Sequence, residues 1–248
     1  MNIYASYTFA HSYSVMDGVS ATNSLVWSRN YSSDSNNHSL SYSIFDVPHK
    51  ITASVSYTKR YAGLFGTTIS LIYQGYSGMR YSLTYSGEDI NNDTGKDNTT
   101  IYIPTESELA AMDFVSEADR AAFGNYIASN PTLRRSRGKF LGRNAMQTPF
   151  EHHLDLHIAQ DFYFSKDSSR KVQISLDVIN LGSLIYKDWG ASYYTSNYCI
   201  SPVQISVSGY TTDADGNRTP KYRFVGGEVS RNDLLSRWRM QVGVRVVF

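Results

Sequence analysis

The sequence predicts an all-β fold built from antiparallel amphipathic strands. Three observations carry this prediction. Six segments alternate apolar and polar residues at period two, the connections between them alternate between short and long, and 20 Tyr and 11 Phe occur among 248 residues. Alternation at period two places the apolar residues of a strand on one face, and tyrosine suits a surface that meets both an apolar phase and water.

The six predicted strands follow one another along the chain and are roughly ten residues long. They lie near residues 2–13, 49–60, 66–80, 152–164, 171–180 and 238–248. In the third of them, Ile69 and Leu71 flank Ser70, so the aliphatic residues share a face. The last, WRMQVGVRVVF, sets an apolar face against a face that carries Arg239 and Arg245.

The connections between the strands differ in length. The turns KRYAGLFG and SKDSSRK are short, whereas residues 14–47, 86–150 and 187–237 are long and rich in Ser, Asn, Asp and Gly. Compact soluble domains rarely contain loops of this length without structure of their own. Short turns on one side and long loops on the other are typical of a transmembrane β-barrel in a bacterial outer membrane, where the long loops are extracellular.

Aromatic residues cluster where the two short turns fall. The cluster consists of Tyr57, Tyr61, Phe65, Phe162 and Phe164. Rings at one level of a barrel form an interfacial girdle, so we expect outer-membrane lipid as a partner. The alternative is the aromatic core of a sandwich, which would not need its rings concentrated at one end.

Composition excludes other classes of protein. The net charge of +1 gives no reason to expect nucleic-acid binding, and no apolar run approaches the roughly 20 residues of a transmembrane helix. The single cysteine, Cys199, has no partner for an intrachain disulfide, and no neighbouring side chain indicates a chemical role for it. The N-terminus lacks the pattern of a signal peptide, so we expect either an intracellular protein or a mature or excised segment.

One helix is predicted within the middle loop. The stretch SEADRAAFGNYIASNP begins with Ser116 and Asp119 in a capping-box-like arrangement and ends before Pro131. We interpret it as a short loop helix without chemistry of its own.

Several ordered motifs resemble a known family. PHKI at 48–51, an Asp/Asn-rich segment before IYIP at 101–104, and RN before the TP strand at 143–149 occur in this order. They resemble the last part of the barrel of TonB-dependent outer-membrane receptors, especially Oar-like members from Bacteroidota. The resemblance implies an outer-membrane location, a plug domain inside the barrel, and energy passed from TonB through that plug.

The resemblance also gives the last strand a role. In that family a terminal strand with a final aromatic residue resembles the signal read by the barrel-assembly machinery. The corresponding apolar residues here are Trp238, Met240, Val242, Val244, Val246 and Phe248.

The chain also departs from the family pattern. Large plugged transporters have about 22 strands, and the smallest single-chain barrels have about eight, whereas about six core strands and no plug are predicted here. We therefore expect a C-terminal barrel segment whose other strands come from another chain or from a parent protein. A less favoured option is that residues 203–210 and 222–226 form an extra hairpin that enlarges the sheet.

The segment DINNDTGKD is a candidate calcium loop. Asp89, Asn91, Asp93 and Asp97 supply oxygen atoms at the alternating spacing that calcium loops use. An Asx-rich turn without metal explains the same residues equally well. No other cofactor is expected.

A second polar set lies on the predicted strands. The register places His153, Asp155, His157, Asp161, Asp177, Arg239 and Arg245 on the lumen side. Residues two apart on one strand are spaced too evenly for a compact catalytic site, so we expect lumen polar groups, with the arginines pairing with the aspartates across the lumen. No enzymatic activity is predicted.

Three functions remain open at this point. The first is a part of a plugged outer-membrane receptor that takes up a substrate and does not transport alone. The second is a small self-contained barrel acting as a pore or adhesin. The third is a soluble β-sandwich that binds glycans.

Overall fold

The computed structural model describes residues 1–91, 93, 95–166, 169–212, 214–216 and 218–248. The strands, in chain order, are β1 Asn2–Phe9, β2 Tyr13–Ser14, β3 Ser41–Tyr42, β4 His49–Tyr61, β5 Phe65–Tyr76, β6 Arg80–Ser86, β7 Tyr102–Ile103, β8 Lys139–Phe140, β9 Met146–Gln147, β10 Glu151–Tyr163, β11 Lys171–Ile179, β12 Tyr193–Tyr194, β13 Cys199–Thr212, β14 Arg218–Phe224, β15 Ser230–Arg231 and β16 Arg239–Val247. The helices are α1 Asn23–Ser28, α2 Glu106–Ala111, α3 Glu117–Ser129, α4 Pro131–Arg135, α5 Leu181–Ile185 and α6 Asp233–Ser236, with a 3-10 turn at Ser196–Tyr198.

Six long strands form one sheet, which we call the wall. Its order is β1-β4-β5-β10-β11-β16, and each strand is antiparallel to its neighbour. The order is also the order along the chain, so consecutive strands simply pair. The prediction of an all-β, antiparallel fold is confirmed. The wall strands occupy the predicted segments with shorter ends: the first stops at Phe9, and the third stops at Tyr76.

The strand register separates the wall into an apolar face and a polar face. Residues in register across neighbouring strands share a face. One such row near the middle of the wall is aliphatic and aromatic: Tyr57, Ile69, Ile158, Leu176 and Val242. The adjacent row on the other face is polar: Ser56, Ser70, His157, Asp177 and Gln241.

No second layer of the described chain covers the apolar face. Ile69 is 45% exposed, Val242 68% and Val244 69%. A soluble sandwich buries this kind of face between two sheets. The soluble β-sandwich alternative is therefore wrong for this fold.

The buried core lies in the long connections, which fold together into what we call the loop body. Its centre is a four-stranded sheet in the order β14-β13-β6-β9, in which β13 runs parallel to β6. The buried apolar residues are Tyr81, Leu83, Tyr85, Ile101, Ile103, Phe114, Phe123, Ile127, Leu133, Leu141, Met146 and Val203. The connections 14–47, 86–150 and 187–237 were predicted to be polar loops with one helix, but five helices and most of this core lie in the described part of them.

Two sequence predictions can be placed in the loop body. The predicted loop helix is α3, whose N-terminal cap is Ser116; its side chain accepts a hydrogen bond from the backbone N–H of Asp119. The option of an extra hairpin is corrected: β13 and β14 do pair, but they join β6 in the loop body and leave the wall at six strands.

The chain leaves the wall at residues 77–79, where its backbone passes close to Thr148 and Pro149. A Cβ atom at Gly78 would lie 2.1 Å from Oγ1 of Thr148 and 2.4 Å from the carbonyl oxygen of Pro149. Only glycine fits there. The predicted third strand at 66–80 ends in the structure at Tyr76, and a separate loop-body strand, β6, begins at Arg80. None of the described helices is long and apolar enough to cross a membrane.

Truncation of a buried side chain tests whether the loop body has a cooperative core. Phe123 is 1% exposed, and its ring lies 6.1 Å from that of Phe114 and 5.9 Å from that of Phe224. Because such truncations lose both transfer energy and packing, Phe123→Ala should destabilise the loop body by about 3–5 kcal/mol. Hydrogen exchange over residues 101–141 in the intact protein measures the effect. Val225→Ala, at a half-exposed site, is the control, and unchanged protection in the Phe123 variant would contradict a cooperative core.

Candidate functional surfaces of the wall and the loop body

The predicted aromatic girdle lies along the turn end of the wall. Tyr61, Phe65 and Phe162 are in one register row; the ring of Phe65 stacks on Tyr61 at 5.8 Å and meets Phe162 edge to face at 5.9 Å. Tyr57 lies further along the same face, 47% exposed, and Phe164 follows β10, 64% exposed. The structure therefore places the five rings as a band near the end of the apolar face.

A second aromatic band lies at the opposite end of the same face. The Tyr7 hydroxyl lies 2.8 Å from Nδ1 of His49, and the Tyr73 hydroxyl lies 2.7 Å from Nδ1 of His152. Phe150 packs beside His152, with ring centroids 4.8 Å apart. The sequence prediction missed this band, although Tyr7, His49 and Tyr73 fall on the apolar face of their strands.

The separation of the two bands matches the thickness of a bilayer. Strand β4 runs from His49 in one band to Tyr61 in the other. At about 3.3 Å per residue this is roughly 40 Å along the strand, or about 30 Å across a membrane at a tilt of about 40°. A hydrocarbon core is about 30 Å thick. The apolar face has the height that lipid contact requires.

The seven predicted lumen residues all lie on the polar face. By register these are His153, Asp155, His157, Asp161, Asp177, Arg239 and Arg245. Nδ1 of His157 lies 2.5 Å from Oδ1 of Asp177. The carboxylate of Asp161 accepts from Nζ of Lys171 at 2.7 Å and from Nε2 of Gln173 at 2.8 Å.

We predicted that these aspartates pair with arginines. In the described sheet they bind other partners. Asp155 accepts a hydrogen bond at 2.7 Å from the backbone N–H of Asn180, and Asp161 pairs with Lys171. Register explains the difference, because Gln173 stands directly between Asp161 and Arg245 in its row. These polar groups bind their neighbours along the sheet and form no compact catalytic arrangement.

The outer strands of the wall, β1 and β16, each pair on one side within the described sheet. The residues of the predicted assembly signal follow β16 and its flanks, and all are exposed: Trp238, Met240, Val242, Val244, Val246 and Phe248. Phe248 is 93% exposed. An unpaired strand edge offers backbone groups for pairing with a further strand.

The candidate calcium segment is a hydrogen-bonded turn. Asp93 accepts from Nδ2 of Asn91 and of Asn98, each at 3.0 Å, and from the backbone N–H of Gly95 at 2.7 Å. Asp97 accepts instead from the backbone N–H of Gly87 at 2.9 Å. Asn92 and Thr94 lie outside the described residues. In the part of the chain that the structure describes, no three His, Cys, Asp or Glu side chains converge as metal ligands. These hydrogen bonds are of the kind found in Asx-rich turns, and calcium binding by the segment stays a prediction.

A buried ion pair joins the wall to the loop body. Asp46 is 1% exposed and accepts from Nη2 of Arg80 at 2.7 Å and from Nε at 2.9 Å. The backbone N–H of Ser12 donates to the same carboxylate at 2.8 Å, and the Tyr42 ring lies 4.0 Å from the guanidinium. Burial alone would raise the pKa of Asp46, but these hydrogen bonds and the Arg80 charge outweigh it, and the pKa lies below its ordinary value.

The RN motif forms a second junction. Asn144, at φ 57° and 1% exposed, donates from Nδ2 to Asp17 at 3.0 Å and to the Tyr42 carbonyl at 2.8 Å. Nη1 of Arg143 lies 3.4 Å from the Asp17 carboxylate. Asparagine tolerates the left-handed conformation better than other residues with a Cβ atom. The motif thus has a structural reason: it bonds β2, β3 and the segment before β9 together.

Two further junctions lie where β10 begins and β11 ends. Asn180, in the left-handed conformation and 2% exposed, donates from Nδ2 to the carbonyls of Gly190 at 2.9 Å and Ser236 at 3.1 Å. Glu151, 6% exposed, accepts from the Ser192 hydroxyl at 2.8 Å and the Tyr193 N–H at 3.1 Å. Glu151 and Asn180 bond loop-body segments to the ends of β10 and β11, and Asp46 bonds β6 to the segments that flank β1 and β4, whereas Asn144 bonds loop-body segments to one another. We call the four sites the junctions.

Cys199 lies within the loop body. Burial raises the pKa of its thiol. A thiol with a raised pKa stays protonated at neutral pH and is a poor nucleophile and a poor metal ligand. Cys199 is the first residue of β13 and pairs with Ser82 of β6, which indicates a packing role.

Comparison with known proteins places the chain in a family. A family model described as an outer membrane beta barrel domain matches residues 1–182. The match covers most of the chain, and the chain belongs to this family. It is a barrel protein of the outer membrane, as its two-faced wall and aromatic bands also indicate. No curated protein and no solved structure matches the chain. The predicted outer-membrane location is confirmed.

Two neighbouring residues test the lipid-facing assignment. Leu71 lies near the middle of the apolar face, and Ser70 lies beside it on the polar face, where its hydroxyl donates to Ser56. Leu71→Arg should cost about 2–4 kcal/mol, because arginine at the bilayer midplane loses its hydration. Ser70→Arg should cost far less. Reversible folding of the intact protein into lipid vesicles gives both values, and equal costs would contradict the assignment of faces.

The Asp46–Arg80 pair predicts a pH dependence. The folded pKa of Asp46 lies below its ordinary value, so its stabilisation is full above about pH 4 and is lost as pH falls through the folded pKa. Asp46→Ala should lower the free energy of unfolding by roughly 3–5 kcal/mol at pH 7, because it leaves the Arg80 charge buried without its partner. The variant should also lose less stability than the wild type when the pH is lowered below about 4. Denaturant midpoints of the wild type and the variant at pH 7 and below about pH 4 measure both effects.

An exposed ion pair is the control for this experiment. Nη1 of Arg120 lies 2.7 Å from Glu117, whose side chain is 82% exposed. Glu117→Ala should change stability by less than about 1 kcal/mol. If both variants lose the same stability, the buried pair is no stronger than a surface one.

Proposed function

We propose that this chain is part of the barrel of a TonB-dependent outer-membrane receptor of the Oar-like, Bacteroidota type, which takes up a substrate with energy from the inner membrane. The observation that carries the proposal is the open wall. The wall has six strands, a lipid face and a polar face. Its two outer strands, β1 and β16, have no further partner strand in the described sheet. Edges in lipid need further strands, because hydrocarbon offers no hydrogen bonds.

The polar face supports a plugged interior. Its groups pair along the sheet and leave hydroxyls, amides and Arg239 and Arg245 toward the inside of the barrel. A plug domain provides the partner surface for such a lining. In this proposal TonB acts on the plug, so it contacts this chain only indirectly.

The junctions support the resemblance on which the proposal rests. PHKI begins two residues after Asp46, and the backbone N–H of its His49 donates to the Ser77 hydroxyl, while the RN motif contains Asn144 itself. The exposed apolar residues of β16 suit recognition by the barrel-assembly machinery. The proposed role is non-enzymatic, because the His and Asp groups of the polar face are engaged in pairs along the sheet.

Photo-crosslinking at the two wall edges tests the larger barrel. A photoreactive amino acid replaces Tyr4 on β1 or Val244 on β16 in the native outer membrane. We expect crosslinks from both positions to other barrel strands, identified by mass spectrometry. A matched probe at Ile69, inside the wall on its lipid face, should crosslink lipid only. Crosslinks between β1 and β16 themselves would show a small closed barrel and overturn the proposal.

Energy coupling is tested separately. Cells that carry the receptor should lose accumulation of its substrate when the proton gradient is collapsed or TonB is deleted, while surface binding persists.

One observation favours the alternative, a self-contained pore or adhesin: the long connections fold into a compact loop body. It predicts conductance of the purified 248-residue chain in a planar bilayer and transport that does not depend on TonB.

A further inference from the structure

One permanent charge lies on the lipid-facing side of the wall. In the six wall strands, all of which the structure describes, Lys59 is the one Lys, Arg, Asp or Glu that the register places on the apolar face. Its side chain is exposed, and it makes no ion pair with any described residue. Because a charged group on a lipid-facing surface is costly unless it reaches a polar partner, Lys59 requires a partner from the membrane.

Three polar side chains lie beside Lys59 on the same face. Thr67 is directly opposite Lys59 in the register, and Gln160 is directly opposite Thr67. Oε1 of Gln160 accepts from the Thr67 hydroxyl at 2.7 Å and from the Tyr61 hydroxyl at 3.3 Å. Since both hydroxyl protons are donated to one amide oxygen, the two hydroxyl oxygens remain available as acceptors. We call Lys59, Tyr61, Thr67 and Gln160 the turn-end polar patch.

The turn-end polar patch lies at the level of the lipid headgroups. Tyr61, Phe65 and Phe162 form one aromatic row, and Lys59 lies two residues further into the wall. At about 3.3 Å per residue and a tilt of about 40°, this is roughly 5 Å below the rings. A lysine stem spans such a distance, so the ammonium group reaches the interface. The short turns of outer-membrane barrels are periplasmic, and the periplasmic leaflet consists of phospholipids.

The charges around the turn-end polar patch favour a net-negative headgroup. Arg60 follows Lys59 in the chain and donates from Nη2 to the Lys166 carbonyl at 2.7 Å, with no described acid as its partner. Asp161, in the same register row as Arg60, is already paired with Lys171 at 2.7 Å. Basic groups near a membrane surface attract anionic lipids. A zwitterionic headgroup would place a second cation against this positive surface.

The opposite end of the lipid face carries no such charge. Its aromatic band contains His49 and His152, whose Nδ1 atoms lie within hydrogen-bond distance of tyrosine hydroxyls. The register places no Lys or Arg of the wall strands on the lipid face at that end. The preference for anionic lipid is therefore confined to the turn end.

We propose that the turn-end polar patch binds one anionic phospholipid of the phosphatidylglycerol type from the periplasmic leaflet. Nζ of Lys59 contacts the lipid phosphate, and the hydroxyl oxygens of Thr67 and Tyr61 accept from the headgroup hydroxyls. The inference concerns the wall alone. It goes beyond the proposed uptake function and depends on neither TonB nor a plug.

Lipid binding to the purified, intact protein in a neutral detergent tests the proposal. The probes are dioleoyl-phosphatidylglycerol, dioleoyl-phosphatidylcholine and dioleoyl-phosphatidylmethanol, which has the charge of phosphatidylglycerol without the headgroup hydroxyls. Native mass spectrometry measures binding of the first lipid molecule. We expect phosphatidylglycerol to bind most tightly and phosphatidylcholine least. Equal binding of phosphatidylglycerol and either of the other two lipids would overturn the proposal.

Two lysines of one strand assign the charge contact. Lys59→Gln should weaken phosphatidylglycerol binding about fivefold, the effect of one basic group near a membrane surface, and Lys59→Arg should retain it. Lys50→Gln is the matched control, because Lys50 lies on the polar face at the other end of β4. Equal losses in the two glutamine variants would show attraction by net charge alone and would refute a site at Lys59.

Two threonines of one strand assign the headgroup contact. Thr67→Val removes an acceptor at nearly constant volume and should lower the affinity for phosphatidylglycerol to that for phosphatidylmethanol, which itself should not change. Thr68→Val is the control, since Oγ1 of Thr68 lies on the polar face, 3.0 Å from Oγ1 of Thr58. If the Thr67 variant binds both anionic lipids as the wild type does, the headgroup contact is wrong.

Discussion

The period-two register of the wall is the constraint on which the rest of the structure depends. Each strand is paired so that apolar rows meet apolar rows from β1 to β16, and a slip of one residue would turn every side chain to the other face. In hydrocarbon such a slip would expose Asp161, Asp177 and Arg245 to lipid. Lipid therefore enforces a register that water would enforce only weakly, because both faces of this sheet are open.

The same constraint explains where the core lies. A wall between lipid and a polar interior has no apolar layer to pack against, so its aliphatic residues stay exposed to the membrane. The residues buried in the usual sense lie in the loop body, where β6, β13 and α3 enclose Leu83, Phe123 and Val203. Two solvents thus act on one chain: lipid contacts the apolar face of the strands, and water drives the burial of the loop core.

The architecture of the wall could be predicted from the sequence because its signal is local. Alternation around Ile69, Leu71 and Ser70 specifies a strand and its faces within a few residues. The loop body could not be predicted in this way, because its contacts join distant segments: Leu83 packs with Val203, and Asn144 bonds to Asp17. The segment that leads from β5 into β6 likewise bonds to a distant part of the chain, since Gly78 and Met79 accept from Gln147 and Thr148. The cavity that Asn30, Thr100 and Phe140 line could not be predicted for the same reason, since these residues meet only after folding.

The junctions connect these two levels of organisation. Each combines an Asp, Asn or Glu side chain with a backbone group or a charged partner, and each is nearly excluded from water. Buried polar groups of this kind contribute little net stability against an apolar replacement, but losing one partner is costly. Their effect is to fix one orientation of the loop body on the wall.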